Sequence, residues 1–330
     1  MKRREFITLL GGAAAALPLA ARAQQPERTR HVGVLMNGAE RDPLYRSYVA
    51  AFLGTLQRLG WREGQNLRIH LRWPAGEPER IGAYAVELVG MSPDAILCSS
   101  SANMTALLRT ARNTNVVFVL VSDPVGQGFV SNLSHPGGNI TGFSAFEPSM
   151  AGKWLDLLKQ ASPRLTRVAV IFNPDTSPQS KVFVPAIEAS GSSLAVQVVA
   201  GPVHAGAEYE PLIASFAQKP NSGLIFPSDQ SSAIHRELIL NLVARYRLPA
   251  VYAQETFARN GGLLYYGTDW HNQFRQAAIY IDRILKGANA GELPVQQPTK
   301  FPLIINLAAA RALGIEFPTS LLLSADEVIE

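Results

Sequence analysis

Residues able to do chemistry sit in short polar clusters, most of them directly after an apolar, β-rich run. Asn37-Gly38 follows the first run, Ser99-Ser100-Ser101-Ala102-Asn103 the third, and Ser122-Asp123-Pro124-Val125 the fourth. Further on come Asn173-Pro174-Asp175, Pro227-Ser228-Asp229 and Tyr252-Ala253-Gln254-Glu255. Ser100, Ser101 and Ala102 offer hydroxyls and open N–H groups at the start of a helix, where unpaired amides and the helix dipole favour a carboxylate. A serine that caps the same helix is compatible with that role. Asp123 has two roles open to it, holding a cation or bonding the amides around Pro124. Asp229 ends an apolar run with no basic neighbour, which makes it the leading candidate for an ammonium partner, with capping of the next helix as its alternative. Asn37, Ser144, Asn173 and Gln254 complete the polar contacts expected of a bound solute. Tyr252 and Trp270 are candidate stacking partners, each with core packing as its alternative.

Catalytic patterns are missing around these clusters. A nicotinamide site needs Gly-x-Gly-x-x-Gly in the first strand-to-helix turn, and that turn reads Asn37-Gly38-Ala39-Glu40-Arg41-Asp42. The glycines of Pro136-Gly137-Gly138-Asn139 enter a strand instead of leaving one, so they read as a tight turn. Gly142-Phe143-Ser144-Ala145-Phe146 has half of a nucleophile elbow and lacks its second glycine. The 6 histidines are dispersed, with no pair at helical metal-ligand spacing. No cofactor and no metal are expected, and no helix-turn-helix precedes the first lobe. The chain reads as a binder instead of an enzyme.

The elements that must position the clusters are legible as alternation. Short β-rich runs and helix-period segments follow one another from residue 31 almost to the end, the mark of a parallel sheet with helices on both faces. One set of strands is expected at 31–36, 67–73, 95–98, 116–121 and 140–143. A second set is expected at 167–172, 195–199, 224–226, 250–252 and 263–266. Corresponding runs of the two sets are offset by similar amounts, which predicts two α/β lobes in tandem. Between the runs lie apolar stripes such as Tyr45, Tyr48, Phe52, Leu56 and Leu59, read as core. After the second set come a long helix-period segment from Trp270 to Leu285, an extended run at 303–306 and a short helix over 307–313. In such sheets the loops at the strand C-termini gather at one edge and ligands sit there, which is where the polar clusters fall.

The N-terminus has the form of an export leader: Lys2, Arg3 and Arg4, then a greasy run, then Ala21-Arg22-Ala23 as a small-x-small cleavage site. Arg3-Arg4 ahead of Phe6-Ile7 is similar to a twin-arginine signal, with ordinary secretory export as the alternative. Removing residues 1–23 takes away four basic residues and one acidic one, so the formal charge falls from +4 to +1. A near-neutral remainder has no general attraction for nucleic acid or anionic lipid. The single cysteine, Cys98, lies in the apolar run 95–98, excludes an internal disulfide and reads as a buried strand residue. A periplasmic, free, monomeric protein is expected.

Several stretches taken in order carry a family resemblance: Ser122-Asp-Pro-Val-Gly-Gln-Gly-Phe-Val, His135-Pro-Gly-Gly-Asn-Ile-Thr-Gly-Phe-Ser, Asn173-Pro-Asp, Phe226-Pro-Ser-Asp and Ile305-Asn-Leu-Ala-Ala-Ala-Arg-Ala-Leu-Gly-Ile. On these the chain resembles the ABC-transporter substrate-binding family whose known members take tryptophan or tyrosine. The resemblance implies a type I periplasmic-binding-protein fold of two flavodoxin-like lobes, three crossing segments and an enclosed ligand. The lobes would comprise 28–146 with 270–298, and 147–269 with 299–330. The crossings would lie near Phe143 to Pro148, Tyr266 to Asp269 and Thr299 to Pro302, and closure about them would present the loaded form to a membrane permease. Where the family usually carries an aromatic pair and a glycine near the third crossing, this chain has Asp269-Trp270-His271-Asn272. The expected solute is an amino acid or an aromatic or carboxylate compound. A sensor module docking a receptor, and an exported hydrolase using Ser144 or Asp229, are the rival readings.

Overall fold

β-branched and apolar runs make the strands, and the polar clusters follow their ends, those at 99–103, 227–229 and 252–255 leading directly into a helix. The first sheet contains β1 (Arg30–Leu35), β2 (Leu67–Arg72), β3 (Ala95–Ser99), β4 (Asn115–Val121) and β5 (Ile140–Ser144) in the order β2-β1-β3-β4-β5, every pair parallel. That is the flavodoxin-type doubly wound order. β3 is buried along its whole length, as a strand covered on both faces must be. Cys98 lies there fully buried, and burial pushes its thiol pKa up. The computed structural model describes residues 28–145, 149–177 and 179–330. The leader expected at 1–23, and Phe146 to Pro148 of the first crossing, lie outside the described residues.

Helices α1 (Pro43–Arg58), α2 (Pro78–Gly90) and α3 (Ser101–Thr110) follow β1, β2 and β3. α1 starts where Asp42 accepts a hydrogen bond from the Leu44 N–H at 2.9 Å and Pro43 supplies a preset first turn. Its Phe52 and Leu56 pack on Val32 and Val34, one face of β1. α2 and α3 cover the opposite face through Leu88, Met104 and Leu107 on Leu35 and Ile96.

The second lobe runs α4 (Ser149–Ala161), β6 (Arg167–Phe172), α5 (Ser180–Ser193), β7 (Gln197–Pro202), α6 (Tyr209–Ala217) and β8 (Ser222–Phe226). It continues through α7 (Gln230–Ile234), α8 (Arg236–Arg245), β9 (Ala250–Tyr252), α9 (Glu255–Arg259) and β10 (Leu264–Tyr266). The chain then returns to the first sheet as α10 (Trp270–Leu285), whose Phe274 and Ile281 join the Phe52 cluster. It ends in the second sheet with β11 (Leu303–Asn306), α11 (Leu307–Leu313), α12 (Thr319–Ser324) and β12 (Glu327–Ile329). The second sheet has the order β12-β11-β10-β9-β8-β6-β7. Its core, β7-β6-β8-β9-β10, repeats the strand order of the first sheet, so the duplication read from spacing is present as topology.

Two features depart from a simple copy. β7 lies at 197–202 instead of 195–199, because Ala195 takes a left-handed turn (φ 52°) before the strand begins. β11 pairs antiparallel with β10, and the unanticipated β12 pairs parallel with β11. β11 reaches the sheet from a crossing segment and not from a crossover helix, so the usual constraint to parallel pairing is absent.

The three crossings are laced together. Thr268 Oγ1 donates to the Ala145 carbonyl at 3.0 Å, Gln273 Nε2 to the Ser144 carbonyl at 2.6 Å, and Asp269 N to the Lys300 carbonyl at 3.3 Å. Just before the first crossing, β5 pairs with a β4 whose register slips between Phe118 and Val121, with Leu120 at φ 57°. A Cβ at Gly142 would stand 2.2 Å from the Phe118 carbonyl oxygen, a backbone atom with no room to retreat. Gly142→Ala is therefore expected to lower stability by about 2–3 kcal/mol. Urea titration of the purified variant measures this, and an unchanged midpoint would show that the strand pair relaxes around the added methyl.

Candidate functional site

The loops at the C-terminal ends of the two sheets face each other across a cleft of about 840 Å³. The first lobe builds its wall from strand ends held by side chains. Asn103, fully buried in the first turn of α3, donates from Nδ2 to the Leu35 carbonyl at 3.2 Å and the Ser99 carbonyl at 2.7 Å, tying the ends of β1 and β3 together. The Asn37 N–H donates to Ser99 Oγ at 2.7 Å, and Asn37 Oδ1 is buried with no hydrogen-bond partner. Ser100 holds a φ of 92° and caps α3 by accepting from the Asn103 N–H at 3.3 Å. Asn37, Ser100, Ser101 and Ala102 all line the cleft.

The second wall centres on Asp229, which is 3% exposed. Its Oδ2 accepts the Asn173 N–H at 2.9 Å, and its Oδ1 accepts Thr176 Oγ1–H and the Ser231 N–H. One carboxylate thus joins the loop after β6, the loop after β8 and the start of α7. The helix-capping alternative read for Asp229 is what the geometry shows, with two further bonds added. Asn173, Asp229 and Gln254 line the cleft. The other two carboxylates on this wall have partners within the lobe: Glu255 meets Arg259 at 2.6 Å and Asp175 meets His204 Nδ1 at 2.8 Å. Arg109, at the far end of α3, lines the mouth with no ion pair among the described residues.

Three expected contacts are not brought to the cleft. Tyr252 is fully buried in the second lobe, clustered with Phe226 (5.2 Å) and Phe257 (4.6 Å), and burial raises its phenol pKa. Asp123 is exposed and closes its own turn by accepting the Gly126 N–H at 2.8 Å. Ser144 is 3% exposed at the end of β5, where its N–H donates to the Gln296 carbonyl at 2.8 Å, and it is the next residue, Ala145, that reaches the cleft.

The sequence reading missed an aromatic wall. Tyr45 and Tyr48, assigned to the core stripe of α1, both line the cleft together with Trp270. Tyr48 is held by stacking on Phe274 at 5.2 Å, and Tyr45 meets it edge-on at 6.0 Å. The Tyr45 ring lies so close over Gly38 that a Cβ there would come within 2.2 Å of it. Burial raises both phenols above the usual tyrosine range, which keeps them neutral donors. The available signal was position: both tyrosines occupy the first turns of the helix that follows the first edge loop. A second, small cavity of about 20 Å³ shares Ser122, Ala145, Gln179, Ser228 and Trp270 with the cleft and is lined further by Trp154, Phe183 and Thr268. Among the described residues no group of three or more His, Cys, Asp or Glu side chains is placed to hold a metal ion.

A family model described as "ABC transporter substrate binding protein" matches residues 34–329. Among curated relatives, the tyrosine-binding protein of Clostridioides difficile (strain R20291) is 24% identical over 277 residues, 84% of this chain and 78% of that protein. Among solved structures, a conserved domain protein from Vibrio cholerae aligns with a TM-score of 0.81 at 25% identity, covering 91% of this chain and 100% of that one. An ABC domain in complex with L-Trp from Streptococcus pneumonia gives 0.82 at 22% identity, with the same 91% and 100% coverage. A ligand-free, open substrate binding protein with adhesive properties from Clostridium difficile gives 0.73 at 23% identity, covering 91% and 99%. These likenesses show the fold, two lobes around a cleft.

Removing the carboxylate of Asp229 strands two buried N–H groups and a hydroxyl. Asp229→Ala is expected to cost about 2–4 kcal/mol in the absence of any ligand, with Asp229→Asn losing less because its carbonyl still accepts. Chemical denaturation of the ligand-free variants reads this directly, and wild-type stability in Asp229→Ala would show that the latch contributes nothing.

Proposed function

The chain belongs to the ABC transporter substrate binding protein family, and we propose that it is the solute-capturing component of an ABC-type importer working in the periplasm. The family is one of solute-binding proteins and not of enzymes. The observation that carries the reading is the cleft itself: two preformed walls of polar loop residues, one from each lobe, with three aromatic rings on one side. Such a wall pair suits a small solute that offers both hydrogen-bonding groups and an apolar body.

The solutes of relatives, L-Trp in one solved domain and tyrosine in the name of another protein, put amino acids first and aromatic or carboxylate compounds next. Capture proceeds by bending at the crossings until both walls touch the solute and exclude water. A micromolar solute supplies roughly −8 kcal/mol, and part of the gross contact energy offsets the cost of bringing the lobes together. The closed form, a monomer, is what the membrane permease recognises. Among the described residues no helix is long and apolar enough to cross a membrane. Export through the leader, with cleavage after Ala23, places the protein where such a permease collects its cargo.

Two measurements test this. A thermal-shift screen of the mature chain against the amino acids, aromatic acids and small sugars is expected to give a hit worth about 2.7 kcal/mol at 100 times its Kd. Small-angle scattering with that hit should show a smaller radius of gyration. A screen with no hit, or binding without compaction, would remove solute capture or closure respectively. For the export step, intact mass of the protein recovered from the periplasm should begin at Gln24, and a mass that retains Met1 would refute cleavage.

A further inference from the structure

β2 lies at the edge of the first sheet and pairs with β1. Across that pair two imidazoles meet, with His31 Nδ1 at 3.1 Å from His70 Nε2. His70 stands in register with Gly33, a residue without a side chain, so its diagonal neighbour His31 can reach it. The ring planes are inclined by 28° and the centroids are 5.3 Å apart, as far as that N···N contact and two ring radii extend end to end. The nitrogens therefore face each other edge to edge, and one ring donates an N–H that the other accepts.

Only one hydrogen fits between nitrogens at this separation. A first added proton enters on the far nitrogen of the donating ring, makes that ring an imidazolium and leaves its N–H aimed at the partner. The contact is then kept and becomes charge-assisted. A second proton has to sit on the accepting nitrogen, where it meets the N–H already there and a like charge, so the contact must open. The surroundings oppose that second charge as well. Arg30 lies beside His31, and Arg68 and Arg72 flank His70 on β2. The nearby carboxylates are engaged: Asp94 by Arg30 at 2.8 Å, Glu87 of α2 by Arg72 at 2.5 Å, and Glu63 by the Ile69 N–H at 2.9 Å. His70 is held below the usual histidine range, first by burial and then by His31, Arg72 and Arg68, with Glu63 opposing.

β2 leads into the cleft. The Arg72 carbonyl accepts the Met36 N–H at 3.0 Å, and the chain then turns through two left-handed residues, Ala75 (φ 56°) and Gly76 (φ 77°), into α2. Gly76, Pro78 and Ile81 line the first wall. Gln230 of the second lobe lies against Gly76, where a Cβ would stand 2.5 Å from its Nε2. Whatever loosens β2 loosens this part of the wall.

We propose that the His31–His70 contact is an acid-operated fastening, which holds β2 and the cleft wall at 76–82 while the pair carries at most one added proton and releases them when it must take two. Its stabilisation is complete above about pH 6.5, the value of a histidine in the unfolded chain. It is lost as the pH falls from there through the lowered value of His70, because the unfolded chain then binds a proton that the fastened pair refuses. The device does not depend on which solute the cleft takes.

Hydrogen exchange read by mass spectrometry on the mature chain, at pH 7.5 and 5.5 and corrected for the intrinsic effect of pH on exchange, tests this. Amides of 67–82 are expected to open about 5- to 10-fold more often at the lower pH, with those of 167–172 in the second sheet unchanged. His70→Gln, which keeps a polar side chain but cannot take the proton, should remove the pH dependence of 67–82. His31→Gln, which leaves one imidazole beside a partner that can accept its N–H, should reduce it by about half or more. A role in packing alone would shift the opening equally at both pH values. His135, His204, His235 and His271 stay in place and control for general effects of acid. Unchanged opening of 67–82 between the two pH values in the unaltered chain overturns the proposal. So does a pH dependence that His70→Gln leaves in place or that His31→Gln leaves undiminished. Should a variant fail to fold, the unaltered chain decides alone, by 67–82 against 167–172.

Discussion

Among the described residues no buried apolar cluster spans the two sheets, and the crossing segments are tied by a few hydrogen bonds. The apolar clusters keep to one sheet or the other: Phe52, Phe274 and Ile281 belong to the first, Trp154, Val168 and Ile225 to the second. Across the gap Thr268 donates to the Ala145 carbonyl, while Gln273 on the Ser144 carbonyl and Asp269 on the Lys300 carbonyl tie the crossing ends down within each lobe. These bonds satisfy backbone groups at the crossings. They also fix which edges face each other, because the first crossing leaves at the C-terminal end of β5. Rigid bodies joined by few contacts bend most cheaply at the joint, so this distribution of bonds underlies every functional statement made of the cleft.

Much of the fold was legible because a strand covered by helices on both faces must be apolar along its length. Ala95–Cys98 and Val116–Val121 stand out for that reason, and one helix start is marked by the serines at 99–101. The same uniformity hides which way a side chain points. Val251 packs toward α4 while Tyr252, the next residue, packs against Phe226 and Phe257, and no alternation of polar and apolar residues in the run distinguishes the two faces. Tyr252 was for that reason placed at the cleft when it is core. β12 escaped notice because a three-residue edge strand, Glu327–Ile329, carries too little pattern to be read.

The site was legible as loops and illegible as contacts. Position at a strand's C-terminal end brings Asn37, Ser101, Asn173, Asp229 and Gln254 to one cavity, a consequence of parallel pairing alone. Asp123 and Ser144 also end strands, yet one curls back on Gly126 and the other is enclosed by the crossings, outcomes set by turn geometry that residue type does not encode. Gln127 and Gln179 also line the cleft, and neither stands directly at the end of an apolar run, the position that marks Gln254.

The electrostatic design of the second wall follows from the need to be stable while empty. A carboxylate as buried as Asp229 is costly if left to wait for a cation. Its bonds to the Asn173 and Ser231 amides and to Thr176 remove that cost within the lobe and, in the same stroke, fix two loops and a helix start. Glu255 and Asp175 are likewise matched by Arg259 and His204. What such a wall offers a solute is mostly neutral dipoles already held in position. Dipoles shed less water than bare charges when a solute meets them, and groups already held have little freedom left to lose. Affinity can then respond to where a solute's donors fall, because a donor that misses leaves an acceptor unpaired.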